Sequence, residues 1–355
     1  MKLPSRVRLR DIAAEAAVSV NTVSRALNNK WDVSQETRKH VLGVAERLGY
    51  TPNILARSLV QRATRTLGLV VTDATHPYYM QIIRSVEKVT SEAGFALLLA
   101  TSGSDPERER RAITLMRERC VDGILLAPVD VQQPHIATIT KDHDTPVVLL
   151  TRWPEGYKGP LVTIDNETGS RLATRHLLDL GHRRIAMLTR SGADLNPRLR
   201  IAGWCYELKA DGLACDEALI HPEEASIEGG RRGAQWLMDA QPRPTAIITY
   251  SDMQAIGVVM GLREAGIDVP GDVSVVGFDD VLLASLVTPA LSTVSQRIHT
   301  IGTIGAEMLQ AWLLGQPVER EQVFLDPEFV PRESSGRAPE TVRRPARKRV
   351  GRMQV

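Results

Sequence analysis

The 355-residue chain lacks the short motifs through which doubly wound α/β enzymes usually carry their chemistry. No Gly-x-Gly-x-x-Gly follows the first strand-like run, and there is no Walker phosphate loop, no Gly-x-Ser-x-Gly elbow and no His-Glu-x-x-His pair. These absences argue against nucleotide-dependent and hydrolytic catalysis, and nothing in the sequence calls for a cofactor. Cysteine is scarce. Cys120, Cys205 and Cys215 have neither metal-ligand spacing nor the even count of a disulfide framework, so they are expected as thiols in a reducing cytoplasm. No apolar run approaches the length of a membrane span; Phe95 to Ala100 and Gly123 to Pro128 are strand-sized. The start, Met1-Lys2-Leu3-Pro4, leads straight into arginines and has no signal-peptide core, which again points to the cytoplasm.

What is present is unevenly distributed. The chain is long enough for two or three domains with cores of their own. Its net charge of +2 conceals a segregation: residues 1–66 carry about +7, the stretch from Arg337 onward about +6, and roughly −11 lies between them. A basic head on an acidic body suits a polyanion-binding protein.

The basic head coincides with a helical pattern. Ile12 and Ala16, one turn apart, give a first short helix an apolar stripe, and Ser19 is a good N-cap for a second helix running to Asn28. Val23 and Leu27 then face inward, while Val20, Asn21, Ser24 and Arg25 present another face suited to a DNA major groove. A third helix, about Ser34 to Leu48, offers Val41, Leu42 and Ala45 to the same core and stops at Gly49. Two amphipathic helices alone would fit any small bundle.

The residues Asp11-Ile12-Ala13, Val18-Ser19, Thr22-Val23-Ser24-Arg25, Leu27-Asn28, Val33-Ser34, Thr37-Arg38, Leu48-Gly49-Tyr50, Pro52-Asn53 and Ala56-Arg57-Ser58-Leu59 resemble the lactose-repressor/galactose-repressor family of bacterial transcription regulators. The resemblance continues to about Arg332. One departure is Ala17, where the family often has Gly; a positive φ there would cost Ala about 1 kcal/mol. The resemblance implies an α plus α/β chain. A helix-turn-helix head (1–51) and a hinge helix (52–66) would precede a two-lobed, periplasmic-binding-protein-like core (67–332) of doubly wound parallel sheets. Lobe 1 would span 67–164 and 293–322, and lobe 2 would span 165–292 and 323–332. It also implies that Val20, Asn21, Thr22, Ser24 and Arg25 contact DNA, joined from the hinge by Asn53, Ala56, Arg57 and Leu59. Leu59 is either an apolar wedge in the minor groove or a linker residue packed on the next domain.

From Leu67 onward, strand-sized and helix-sized segments alternate. A first series runs to Leu150 and a second begins at Asp165-Asn166, a texture that predicts parallel sheets with helices on both faces. Ligand would sit between the lobes at strand carboxyl ends. Tyr78 and Tyr79, after the first strand, either stack on an effector or are buried helix-start aromatics. Arg200 and Asp279 match the family's effector-gripping pair and could instead form a structural salt bridge. Arg152, Asp165, Ser251 and Asp252 complete the effector candidates, with helix capping the commoner role for Asp252. Thr151 replaces an acid that many relatives carry, so no relative's effector is transferable. His176 and His182 read as packing or capping residues.

The resemblance thus implies a non-enzymatic regulator, expected to repress. It would bind a near-palindromic operator as a homodimer and answer to a sugar-like or nucleoside-like effector that changes the lobe angle. A protein corepressor docking on the first lobe is the alternative regulator. The tail, 333–355, has no apolar periodicity and no leucine heptads for tetramerisation; it is expected to be disordered, and its basic run either adds nonspecific DNA attraction or is inert.

Overall fold

The computed structural model describes residues 7–50, 63–141, 144–190, 195–317 and 321–340, which divide into a head and a core at Thr64/Arg65. In the head, α1 (Leu9–Glu15), α2 (Val20–Leu27) and α3 (Gln35–Arg47) each begin at a satisfied N-terminus. Asp11 accepts the Arg8 backbone N–H at 2.7 Å, Ser19 Oγ accepts Thr22 N–H at 3.0 Å and Ser34 Oγ accepts Thr37 N–H at 3.1 Å. Ile12, Ala16, Val23, Ala26, Val33, Val41, Val44 and Ala45 form the core. Leu42, expected inside, is 46 % exposed, because α3 turns Val41, Val44 and Ala45 inward and carries position 42 round to its outer face. Ala17 has φ 53°, so the left-handed turn is retained without glycine.

The core begins with β1 (Thr66–Val71), α4 (Pro77–Glu92), β2 (Ala96–Thr101), α5 (Pro106–Glu118), β3 (Gly123–Leu126), α6 (Pro134–Ile139), β4 (Val147–Leu150) and β5 (Leu161–Ile164). The second series is α7 (Asn166–Asp179), β6 (Ile185–Arg190), α8 (Leu195–Ala210), β7 (Ile220–Glu223), α9 (Ile227–Asp239), β8 (Ala246–Thr249), α10 (Asp252–Glu264), β9 (Ser274–Asp279) and β10 (Ser292–Ser295). It is followed by α11 (Ile298–Leu313), β11 (Gln322–Leu325) and β12 (Glu328–Val330). The sheets have the orders β11-β5-β4-β3-β1-β2 and β12-β10-β9-β8-β6-β7. Every pairing is parallel except that of β12 with β10. Strands β1, β3, β4 and β5 are mostly Val, Ile and Leu, and β6, β8 and β9 are buried along nearly their whole length, because helices cover both of their faces.

The chain crosses between lobes three times, and two crossings differ from expectation. The first lies at Asp165, between β5 of the first sheet and β6 of the second. Thr293 pairs with Gly277 inside the second sheet, so the return crossing lies beyond β10, at Gln296-Arg297. β11 pairs with β5 in the first sheet, so the last crossing is at Asp326-Pro327 and not after residue 322. Residues 333–340 are also ordered, against expectation. Ser334 donates to the Val275 carbonyl at 2.6 Å, His182 Nε2 lies 3.0 Å from the Gly336 carbonyl, and Ala338 N–H donates to Leu180 at 2.9 Å. The segment satisfies backbone groups of β9 that β10 does not reach. Residues 341–355 lie outside the described residues.

Cys205 on α8 is disulfide-bonded to Cys215, with Cα atoms 5.1 Å apart, which corrects the expectation of three thiols. The turn after α8 brings position 215 back beside the helix, and an odd total does not prevent one bridge; Cys120 is not disulfide-bonded. Among the described residues no helix is long and apolar enough to cross a membrane.

Candidate effector cleft and DNA-reading head

On α2, Val23 and Ala26 face inward, leaving Val20 and Asn21 exposed and Thr22, Ser24 and Arg25 partly so. Asn21, Thr22 and Arg25 line an open concavity of about 320 Å³ together with Asp32, Val33, Ser34 and Thr37. Arg25 Nη2 is ion-paired with Asp32, which the sequence reading did not single out. Asn53, Ala56, Arg57 and Leu59 lie outside the described residues.

In the core, Arg200 is the buried centre. It rises from α8, 4 % exposed, donating through Nε to Asn166 Oδ1 at 2.8 Å and through Nη1 to the Tyr250 carbonyl at 2.6 Å. Its guanidinium carbon lies 3.5 Å from the Phe278 ring centroid and 4.4 Å from that of Tyr250. Burial lowers its pKa, and Asp279 opposes that shift. Helix α8 comes this close because Gly203 packs against the Glu167 carbonyl of α7, where a Cβ would overlap the oxygen.

Asp279 ends β9 with φ 147° and Asp280 follows with φ 61°, a backbone that strains non-glycine residues. Side-chain bonds hold it there. Gln296 Nε2 donates to Asp279 Oδ1 at 2.5 Å, Val281 N–H donates to Asp252 Oδ2 at 2.9 Å, and Arg332 donates to Asp280 at 2.6 Å. Asp279 and Arg200 thus spend their hydrogen bonds on different partners and do not form the simple salt bridge. Burial, then the charge of Asp252, raises the pKa of Asp279 well above the carboxylate range; burial raises that of Asp252 to about 6.

Asp252 is not the cap of α10. Ser251 caps it, accepting Gln254 N–H at 3.2 Å, while Asp252 is fully buried and accepts from Thr293 Oγ1 at 2.5 Å. Asp165 caps α7 through Thr168 N–H at 3.0 Å. The two tyrosines, both buried, part company: Tyr78 donates toward Gln296 Oε1 at 3.4 Å, whereas Tyr79 accepts from Thr72 at 3.1 Å and lies 3.5 Å from Arg152 Nη2. Arg152 also donates to the Pro128 and Val129 carbonyls at 2.8 and 3.1 Å.

Gln296, Asn166, Tyr250 and Asn196 were not singled out in the sequence. Asn196 Nδ2 donates to the Thr151 carbonyl across the lobes at 3.1 Å, and its Oδ1 is buried without a hydrogen-bond partner. Thr151 has φ 68°, and its carbonyl also accepts from Thr163 Oγ1 of β5 at 3.0 Å. Asn166 and Tyr250 adjoin the marked Asp165 and Ser251, whereas Asn196 and Gln296 adjoin no marked position, and nothing in a single sequence shows that the four converge. A cleft so lined offers donors, acceptors and aromatic faces. Among the described residues no group of His, Cys, Asp and Glu could hold a metal ion.

Residues 8–53 match the model of bacterial regulatory proteins of the lacI family, and residues 174–335 match a periplasmic binding protein-like domain. Over 327 residues the chain is 32 % identical to the HTH-type transcriptional regulator DegA of Bacillus subtilis (strain 168), covering 92 % of this chain and 97 % of that protein. It belongs to the lacI family. The HTH-type transcriptional regulator GalR of Escherichia coli (strain K12) is 34 % identical over 327 residues, 92 % of this chain and 95 % of GalR. Among solved structures, the Lac repressor dimer bound to operator and the anti-inducer ONPF superposes with a TM-score of 0.85 at 26 % identity, covering 94 % of this chain and all of that one. As a lacI-family member the chain is a DNA-binding transcriptional regulator and not an enzyme, and it has the Lac repressor-like fold.

Proposed function

We propose that this regulator represses transcription from a near-palindromic operator, bound as a homodimer, and that a small polar effector, sugar-like or nucleoside-like, controls it from the cleft between the lobes. The observation that carries the effector reading is Gln296. It sits on the return crossing and bonds Tyr78 of lobe 1 on one side and Asp279 of lobe 2 on the other. A polyhydroxylated ligand that takes over those bonds and reaches Arg200 is coupled directly to the lobe angle. Tyr78, Asn196, Arg200, Asp279 and Gln296 are then the principal contacts, with Arg152 and Tyr79 beside them, and Asp165, Ser251 and Asp252 as supports. Val20, Asn21, Thr22, Ser24 and Arg25 read the major groove, and Asn53, Ala56, Arg57 and Leu59 belong to the hinge. The operator-bound Lac repressor dimer supports the symmetric arrangement.

The test is selection of sites from random DNA by the full-length protein, retested at two salt concentrations, followed by an effector screen on the selected site. A palindrome whose binding is released or tightened by a sugar or nucleoside is the expected result. Binding without a motif, lost as salt rises, would refute the operator reading. A response only to an added phosphocarrier protein would move control to the outer face of lobe 1.

A further inference from the structure

The loop from α2 to α3, Asn28 to Ser34, holds a carboxylate on the DNA-reading face. Asn29 takes the left-handed conformation, φ 52°, and Lys30 N–H closes back onto the Arg25 carbonyl at 3.0 Å. From the other side Arg38 Nη2 donates to the Lys30 carbonyl at 2.6 Å and reaches the Val33 carbonyl at 3.5 Å. Val33 is buried in the head core and Ser34 caps α3. Asp32 is therefore pinned on both flanks, and its ion pair with Arg25 joins a fixed anchor to a flexible arm. The Arg25 side chain is 43 % exposed and that of Asp32 is 28 % exposed, so both reach the concavity they share with Asn21 and Thr22. Arg25 Nε is buried with no partner, which leaves the guanidinium held through its Nη2 edge.

We propose that Asp32 is a positioning residue for base recognition. It orients Arg25 for guanine in the major groove, and its own negative charge penalises DNA on which Arg25 finds no acceptor. The proposal rests on the operator reading above. An unrestrained arginine is a long cation that binds any phosphate, and arginine's value in reading a base lies in a fixed fork meeting O6 and N7 of guanine. Anchoring at Asp32 supplies that fork. The carboxylate also offsets part of Arg25's attraction to the backbone, so affinity for non-operator DNA falls more than affinity for the operator.

The experiment is site selection and salt titration with the full chain and three variants: Arg25→Ala, Asp32→Asn and the double variant. Arg25→Ala should lose preference at one base pair per half-site. Asp32→Asn should relax that same base pair by about tenfold. It should also raise affinity for non-operator DNA and steepen the salt slope by up to about 1. In the Arg25→Ala background Asp32→Asn should relax no base pair further, which a merely structural loop residue would not satisfy. The idea is overturned if Asp32→Asn keeps the wild-type motif and specificity ratio, or if its effect persists undiminished without Arg25. Failure of the wild-type chain to select any motif would instead overturn the operator reading along with it. Should Asp32→Asn unfold the head, Asp32→Glu carries the test: it must keep wild-type affinity for non-operator DNA while shifting preference at that base pair, and an unchanged preference overturns the proposal.

Discussion

Arg200 is the side chain whose removal the structure prices most fully. Its two hydrogen bonds are donated from a charged group to Asn166 Oδ1 and the Tyr250 carbonyl, and each contributes about 1.5–3 kcal/mol net. Its contacts with the Phe278 and Tyr250 rings add about 2 kcal/mol, because the cation is desolvated. Against this stands the penalty of burying a guanidinium, several kcal/mol. Arg200→Ala should therefore destabilise the core by about 3 kcal/mol, between the sum of its contacts and full relief of that penalty. In a core of this size that lowers the Tm by about 6–12 °C. Arg200→Met should lose less, since it refills the space between the rings without a charge to desolvate. Calorimetric unfolding of the full chain measures both, and emission from Trp204, fully buried one turn further along α8, follows the same region. A loss below about 1 kcal/mol for Arg200→Ala would show that the guanidinium is not the buried centre described above and would remove the reason for placing the effector against it.

Helices α9 and α10 cross where Gly257 meets Gly230, and a Cβ at 257 would overlap the Ile227 carbonyl oxygen, so Gly257→Ala should cost about 3 kcal/mol or more, read by urea unfolding. Asp279 has a raised folded pKa, and Asp252 beside it is raised to about 6, so the folded state favours their protonated forms. Their penalty is absent below the ordinary carboxylate pKa of about 4 and grows as pH rises toward and beyond about 6. Asp279→Asn should accordingly gain in Tm relative to wild type between about pH 5 and pH 7.5, and a pH-independent difference would contradict the buried pair. Ser19→Ala removes the α2 cap and should cost the head about 1 kcal/mol, with operator affinity falling in step; unchanged thermal unfolding of the head would show the cap to be idle.

Much of this molecule follows from local sequence. Ser19 and Ser34 cap helices because a hydroxyl before a helical run can satisfy free N–H groups, and Ile12, Val23 and Val41 face inward because 3.6-residue periodicity puts them there. The Val, Ile and Leu runs of the central strands are legible for the same reason: burial on both faces leaves no polar alternation. Arg200 and Asp279 were marked as effector candidates only through the family resemblance of the motifs around them. The edge strands β7, β11 and β12 were not, since a three- or four-residue segment such as Ile-His-Pro-Glu acquires its form from a partner strand and not from its own composition. The Cys205–Cys215 bridge spans only ten residues and is set by the turn after α8, whereas the crossings and the ordering of residues 333–340 depend, like those strands, on chain segments brought together from far apart. The same holds for Gln296. As a sequence letter it is one polar residue after a strand, and only the meeting of two lobes places Tyr78 and Asp279 within reach of its amide. Periodicity and capping act between neighbours and so are written in the sequence; convergence of side chains separated by hundreds of residues is set by the packing of whole sheets, and the tertiary structure alone decides it.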